Sequence, residues 1–279
     1  MKKASLIMLL AVAAAACQQS APPVATVPVA VSPVPQPVAA ASVAADSLAP
    51  AALALLRRHD LAPLWANRAE GMAARSAMEG FYGPPHYRIS FYFSGVTHDP
   101  IRPNRFHVTG LDRYKKVVTP FSGTITVRAL RPFTKEMHLD AAPADSAAPA
   151  YTAVARFALN EDPATTGAGN YTGEALLDFY IDDQQQLQMA VAHPMASEHN
   201  PTHGSGLIFR GSHVSNRTGQ RRAVAFSTDY GMVVPNALAK LGLGDRSEDV
   251  NPNLARLGWN EAWENDEWWA KSPKPKLSL

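Results

Sequence analysis

The segment YRISFYFS, residues 87–94, begins the stretch of sequence that decides the fold. Its apolar residues alternate with polar ones, and this period of two is typical of a half-buried β-strand. The alternation returns in FHVTG at residues 106–110 and in FSGTITVRA at residues 121–129. A loop with two prolines separates the first two segments, and DRYKK at residues 112–116 separates the last two, so we expect a turn at each place. Residues 81–129 therefore predict three successive strands of an antiparallel sheet.

In the first of these strands the two faces have different chemistry. Tyr87, Ile89, Phe91 and Phe93 share one face and predict the side that packs on the core. Arg88, Ser90 and Tyr92 share the other, which we expect to face water.

Five more segments have the composition and alternation of strands. They are YTAVARFAL (151–159), YTGEALLDFYI (171–181), LQMAVA (187–192), GLIFRGSHV (206–214) and RRAVAFS (221–227). Turn-forming residues lie between them, and no helix alternates with them as in a parallel sheet. The chain therefore predicts a mainly β domain over residues 51–245, a single antiparallel barrel or sandwich of about eight strands.

Short triplets of aromatic residue, polar residue and glycine recur in these strands. They are Phe93-Ser94-Gly95, Phe121-Ser122-Gly123, Tyr171-Thr172-Gly173 and Phe209-Arg210-Gly211. Their recurrence resembles the strand pattern of small up-and-down barrels such as the calycins, and this resemblance implies a closed barrel.

Helical patterns precede the sheet. Pro50 suits a first helical turn, Leu53 and Leu56 share one face, and Pro63 interrupts the pattern. NRAEGMAARSAMEGF predicts a second short helix that ends at Gly80. We expect both helices to be packing elements.

The N-terminus has the pattern of a secretory signal. Lys2 and Lys3 precede a short apolar run that ends at Cys17, and this run is too short to span a bilayer. Residues 1–17 resemble the signal of bacterial lipoproteins, and that resemblance implies lipidation of Cys17 and, because Gln18 follows, an outer-membrane location facing the periplasm. Cys17 is the only cysteine. Ala14-Ala15-Ala16 also fits ordinary signal cleavage, which would give a soluble secreted or periplasmic protein.

The two ends of the mature chain differ from the β domain. Residues 18–50 are rich in proline, alanine and valine and predict an extended, disordered linker. Residues 246–279 contain four tryptophans among acidic residues and end in a basic tail. We expect this Trp-rich segment to be partly helical and to pack on the β domain, because tryptophan buries a large apolar area. A platform for a glycan or a protein is the alternative.

Charge and motifs exclude several functions. The chain has 26 basic and 24 acidic residues, and loss of Lys2 and Lys3 with the signal leaves it formally neutral, so nothing indicates nucleic-acid binding. There is no GxSxG, no P-loop and no GxGxxG sequence. We therefore expect no catalytic residue, no metal and no cofactor.

One group of residues offers a different chemistry. His193, Glu198, His199 and His203 lie in one loop, and His213 lies on the next predicted strand. Imidazole and carboxylate groups are zinc ligands, although this spacing matches no helix-based metal motif. The turn formers in the loop favour an exposed polar segment instead.

Two functional hypotheses follow. The first is a non-enzymatic, lipid-anchored envelope protein whose β domain binds a small molecule or a protein partner, at residues that the sequence does not identify. The alternative is a metal-assisted hydrolase that uses His193, His199, His203 and His213.

Overall fold

The computed structural model describes residues 48–67, 77–133, 148–192, 199–229, 231, 233, 255–259 and 267–270. The predicted signal at residues 1–17 and nearly all of the predicted linker lie outside these residues. Two helices and nine strands are present in the described part. They are α1 (Pro50–Arg58), α2 (Ala62–Trp65), β1 (Met78–Tyr82), β2 (Tyr87–His98), β3 (Arg105–Tyr114), β4 (Val117–Pro132), β5 (Ala150–Glu161), β6 (Gly169–Ile181), β7 (Leu187–Met189), β8 (Leu207–Ser215) and β9 (Arg221–Ser227).

The strands form a closed antiparallel barrel. In the ring, β1 to β6 pair in chain order, β6 then pairs with β8, β8 pairs with β9, and β9 returns to pair with β1. Strand β7 is an extra edge strand on β6 and does not belong to the ring. The predicted antiparallel β domain is thus confirmed as an eight-stranded barrel rather than a sandwich, and it is compatible with a calycin-like barrel.

Strand β1 shows that the predicted end of a second helix at Gly80 is wrong, while residues 68–76 of that prediction lie outside the described residues. Met78–Tyr82 is extended and pairs with β2 on one side and β9 on the other, so tertiary pairing overrides the local helical pattern. Gly80 is required by this pairing, because a Cβ atom there would lie 2.0 Å from the carbonyl oxygen of Ala225. Gly80 therefore marks a close approach of two backbones and not the end of a helix.

The barrel interior is filled by aromatic side chains. The ring of Phe226 stacks on Phe91 at a centroid distance of 3.8 Å and on Phe209 at 4.6 Å. Phe93 and Phe157 meet Phe209 edge-on at 5.5 and 5.4 Å. Each of these five rings is at most 2% exposed, so the middle of the barrel is a packed core and not an open channel.

The N-terminal helices close one end of the barrel. Proline begins α1, as predicted, and the buried side chain of Leu56 points from α1 into the core. The indole of Trp65 in α2 is fully buried and lies 6.4 Å from the ring of Phe106 and 6.2 Å from Phe209. Because Phe106 and Phe209 stand near the N-terminal ends of β3 and β8, the helices cover that end of the barrel.

The outer face of β2 is not the wet face that the alternation predicts. Arg88 and Ser90 are only 7% and 1% exposed. The guanidinium of Arg88 donates two hydrogen bonds to Glu79, at 2.8 and 2.9 Å, and the Ser90 hydroxyl donates to the same carboxylate. The backbone N–H of Arg88 donates to the carbonyl of Leu257, so a C-terminal segment covers this polar network.

Tryptophans of the C-terminal segment lie against β1, β2 and β3 where the structure describes them. Trp259 is fully buried, its ring lies 4.6 Å from Phe81, and its Nε1–H donates to the carbonyl of His86 at 2.9 Å. Trp269 stacks on Tyr92 at 5.3 Å. These contacts explain why polar side chains of β2 are shielded from water.

Candidate ligand site at the barrel mouth

The end of the barrel opposite the helices is open, and we call it the mouth. It is formed by the C-terminal ends of β1, β3, β5 and β8 and the N-terminal ends of β2, β4, β6 and β9. A cavity of about 420 Å³ opens here. Its volume falls within the range of small-molecule pockets, which is roughly 300–1,000 Å³.

His213 lies at the centre of the mouth and is 3% exposed. Its Nδ1 lies 2.8 Å from the hydroxyl of Tyr82, and its Nε2 lies 2.8 Å from Oε2 of Glu161. Burial raises the pKa of Tyr82 to about 12, so this phenol keeps its proton and can donate it to Nδ1. The other nitrogen then carries a hydrogen and donates to the carboxylate.

Glu161 ends β5 and collects donors from several strands. Besides His213, the backbone N–H of Gly169 donates to Oε2, and the hydroxyl of Tyr171 lies 3.4 Å from Oε1. Glu161 and Tyr171 are 7% and 2% exposed. Burial raises the pKa of Tyr171 well above its usual value, so this phenol also stays protonated. Both carboxylate oxygens of Glu161 therefore have donors from the protein.

Asp112 differs from Glu161 because no protein donor reaches its buried carboxyl group. The residue is 1% exposed and lines the cavity, and neither Oδ1 nor Oδ2 accepts a hydrogen bond from a donor in the described part of the chain. Burial, reinforced by the negative charge of Glu161 and by a hydrogen bond to that carboxylate, raises the pKa of Asp112 to about 9. Buried polar groups normally have donors or acceptors of the opposite kind, so a carboxyl that lines a cavity with only another carboxyl beside it indicates that a ligand supplies the missing donor.

Aromatic rings and basic groups surround the entrance. Tyr82 and Tyr114 lie 4.5 Å apart, ring centre to ring centre. The ammonium of Lys115 lies 5.3 Å from the centre of the Tyr114 ring, and the guanidinium of Arg222 lies 5.9 Å from that of Tyr82. Exposed Arg217 lies on the hairpin between β8 and β9 and also lines the cavity. The cavity thus has acidic groups at its inner end and basic groups at its entrance.

The histidines of the predicted zinc cluster do not come together. His199 and His203 are exposed in the segment before β8, at the helix-covered end of the barrel, whereas His213 lies at the mouth. Six residue-to-residue steps along β8, from Leu207 to His213, rise about 3.3 Å each and separate the two ends by roughly 20 Å. No three metal-binding side chains converge anywhere among the described residues. The predicted convergence of His213 with His199 and His203 is therefore wrong, while His193 and Glu198 of the same hypothesis lie outside the described residues.

Other predicted site residues lie outside the described part of the chain. Cys17, His193 and Glu198 are all in this group. The two helices in the described part of the chain are both too short to cross a membrane.

Asp112 and Glu161 are residues of the mouth that the sequence did not predict. DRYKK was predicted to be a turn, but β3 continues to Tyr114, and the turn consists of Lys115 and Lys116, with φ angles of 50° and 69°. A signal was present, because Asp112 continues the inward alternation of β3 and Glu161 continues that of β5. Where inward-facing residues along a strand are apolar and the last of them is acidic, the carboxyl group faces inward at the end of the barrel.

Comparison of the chain with protein-family profiles, with curated proteins and with solved structures finds no match in any of the three.

Proposed function

We propose that this chain is a non-enzymatic, lipid-anchored protein of the bacterial cell envelope whose barrel binds a small molecule at its mouth. The carboxyl of Asp112, which no donor among the described residues reaches, lines a cavity of about 420 Å³ and carries the proposal. A ligand that supplies hydrogen-bond donors there would relieve the cost of the buried carboxyl, which is about 1–3 kcal/mol for an unsatisfied polar group.

The shape and polarity of the mouth favour a small polar ligand. The packed rings of Phe91, Phe209 and Phe226 leave the barrel centre without room for a long apolar ligand. Binding is therefore restricted to the mouth, where ionisable and phenolic side chains line the cavity. A concave site with a few convergent polar groups suits a small molecule better than a flat protein surface.

The hydrogen bonds of His213 favour binding over catalysis. Both imidazole nitrogens are engaged within the protein, one by Tyr82 and the other by Glu161. A general base needs a nitrogen that can reach the substrate. The imidazole instead holds the mouth in shape, and Asp112 is left to meet the ligand.

The location in the envelope is supported by the sequence. Cys17 is the only cysteine and directly follows an apolar run of signal-peptide length. Lipidation of Cys17 would place the domain on the outer membrane, facing the periplasm, at the end of the linker over residues 18–50.

A pair of matched variants tests the ligand site. Val117 and Val118 are adjacent and exposed, at 47% and 39%, but only Val117 lines the cavity. Purified full-length protein is screened for compounds from a library of small polar metabolites that raise its melting temperature. Val117→Trp should abolish the shift of every genuine ligand, whereas Val118→Trp should leave it intact. The proposal is contradicted if every compound either leaves the melting temperature unchanged or raises it equally in the wild type and in Val117→Trp.

A further inference from the structure

The mouth has acidic groups at one end of the cavity and basic groups at the other. Asp112 and Glu161 are buried at its inner end. Lys115 and Arg217 are exposed at its entrance, and Arg222 lies beside them partly exposed. A ligand with a cationic donor group at one end and an anion at the other matches this arrangement.

The inner end is short of hydrogen-bond donors. Glu161 receives donors from Gly169, Tyr171 and His213, whereas both oxygens of Asp112 have none within the described residues. A primary ammonium group brings three N–H donors and a positive charge, so it can serve Asp112 and reduce its repulsion with Glu161. A neutral donor such as a hydroxyl supplies one hydrogen and no charge.

The walls also suit an ammonium group. The rings of Tyr82 and Tyr114 line the cavity and lie 4.5 Å apart, and Arg222 and Lys115 already lie over one face of each. Aromatic faces attract cations, and this attraction increases where water is excluded.

The entrance is short of anions. Within the described part of the chain, no carboxylate pairs with Lys115, Arg217 or Arg222. The guanidinium of Arg222 donates a hydrogen bond only to the side chain of Gln220, at 3.0 Å. Guanidinium groups bind carboxylates through two parallel hydrogen bonds, so the entrance is suited to a carboxylate from outside the protein.

We infer that the mouth binds a small zwitterion, an amino acid or a short peptide, with its ammonium against Asp112 and its carboxylate at the basic entrance. This inference rests on the proposed function and specifies the class of its ligand. The cavity of about 420 Å³ is large enough for an amino acid or a dipeptide and is too small for a folded partner.

Binding of an ammonium group should release a proton. Asp112 holds a proton at neutral pH because burial raises its pKa to about 9, and an adjacent cation favours the ionised form. Affinity should therefore rise about tenfold per pH unit between pH 6 and pH 8, with about one proton released per ligand at pH 7. The titratable and charged groups that face Asp112 across the mouth are Tyr82, Tyr114, Glu161, Tyr171, His213 and Arg222, with Lys115 and Arg217 at the entrance.

The test is calorimetric titration of the purified full-length protein with the twenty common L-amino acids. The amino acid that binds most tightly is compared with its deaminated acid and its decarboxylated amine, and each titration is repeated in buffers of different ionisation enthalpy to count protons. We expect the amino acid to bind at least tenfold more tightly than either analogue, with about one proton released.

Two variants separate the contributions of the two ends. Asp112→Asn should abolish proton release and weaken binding of the amino acid at least tenfold. Arg222→Gln should weaken binding of the amino acid and of its deaminated acid. It should have little effect on binding of the amine, which lacks a carboxylate. Val118→Trp is the neutral control.

The possible failures are distinguishable. If no amino acid or dipeptide binds while a compound that is not a zwitterion binds and is excluded by Val117→Trp, the zwitterion inference is overturned and the proposed function survives. If the deaminated acid binds as tightly as the amino acid with no proton released, Asp112 donates to an acceptor and the inference is also overturned. If no small molecule of any class binds at the mouth, both fail.

Discussion

The imidazole Nε2 of His213 and the carboxylate Oε2 of Glu161 lie 2.8 Å apart and join β8 to β5 across the intervening strand β6. Removal of His213 takes one of three donors away from Glu161 and leaves the buried Tyr82 hydroxyl without its partner, and an unsatisfied buried polar group typically costs about 1–3 kcal/mol. His213→Ala should therefore lower the free energy of unfolding by about 1–3 kcal/mol, as measured by urea denaturation.

A histidine from the other end of the barrel provides the control for this variant. His199 is exposed, so His199→Ala should change the free energy of unfolding by about 0.5 kcal/mol or less. Equal stability of the two variants would show that the buried pair contributes little to folding. Metal analysis of the wild type belongs to the same experiment, because stoichiometric zinc that is lost in His199→Ala would require a new account of the loop before β8.

Asp112 should make the protein less stable as pH rises. The folded state raises the pKa of Asp112 from its ordinary value of 3.8 to about 9, so between these values the folded state binds more protons than the unfolded state. Stability then falls with increasing pH, by at most about 1.4 kcal/mol per pH unit for one group. Burial also raises the pKa of Asp178, but only to about 6, so its contribution ends below pH 7. The interval from pH 7 to pH 9 therefore isolates Asp112.

Replacement of Asp112 by asparagine should remove that dependence. Urea denaturation of Asp112→Asn is expected to give nearly the same free energy of unfolding at pH 7 and pH 9, with a gain over the wild type at pH 9. A wild type that is equally stable at both pH values would show that Asp112 is ionised in the folded protein.

Trp259 should contribute a large part of the stability of the described domain. Its indole is fully buried against Phe81 and donates a hydrogen bond to His86. Trp259→Ala should cost about 3–5 kcal/mol, as measured by urea denaturation. Trp269, which is partly exposed and stacks on Tyr92, provides the comparison, and Trp269→Ala should cost clearly less. If the two losses are the same, burial of Trp259 is not what stabilises the fold.

Cys17 should carry the membrane anchor. Each buried CH₂ of a lipid chain contributes about 0.8 kcal/mol to membrane binding, so two chains or more hold a protein firmly. Cys17→Ala should move the protein from the membrane fraction to the soluble fraction and abolish incorporation of labelled palmitate. A Cys17→Ala protein of mature size that still sediments with membranes would exclude lipidation as the anchor.

The sheet was more predictable than the site. Period-two alternation located β2 to β6, β8 and β9, because in a barrel with a dry interior the alternation of side chains follows the alternation of environments. It failed at β1, where Gly80 serves a close backbone contact, and on the outer face of β2, where Arg88 is covered by a segment distant in sequence. Both errors arise from tertiary contacts that no local pattern contains.

The site itself depends on convergence between strands. Asp112 and Glu161 lie 49 positions apart in the sequence and meet only because β3 and β5 both end at the mouth. The sequence predicts a cluster of His213 with His199 and His203 because the three are near one another along the chain. His213 instead lies near the C-terminal end of β8, and the other two precede the N-terminal end of that strand. Nearness along the chain was therefore misleading, whereas inward position along each strand was informative.

The pairing of β1 with β9 sets an order on the formation of the barrel. Tyr82 pairs with Val224, so the ring cannot close until almost the whole β domain has been synthesised and is free to move. Closure of so long a loop is entropically costly and is a late event in folding. The mouth shares this delay because Tyr82 comes from the first strand of the ring and His213 and Arg222 from the last two. A nascent chain that has not yet released β9 therefore lacks the complete mouth, and the side chains that line the cavity come together only after the whole barrel has been made.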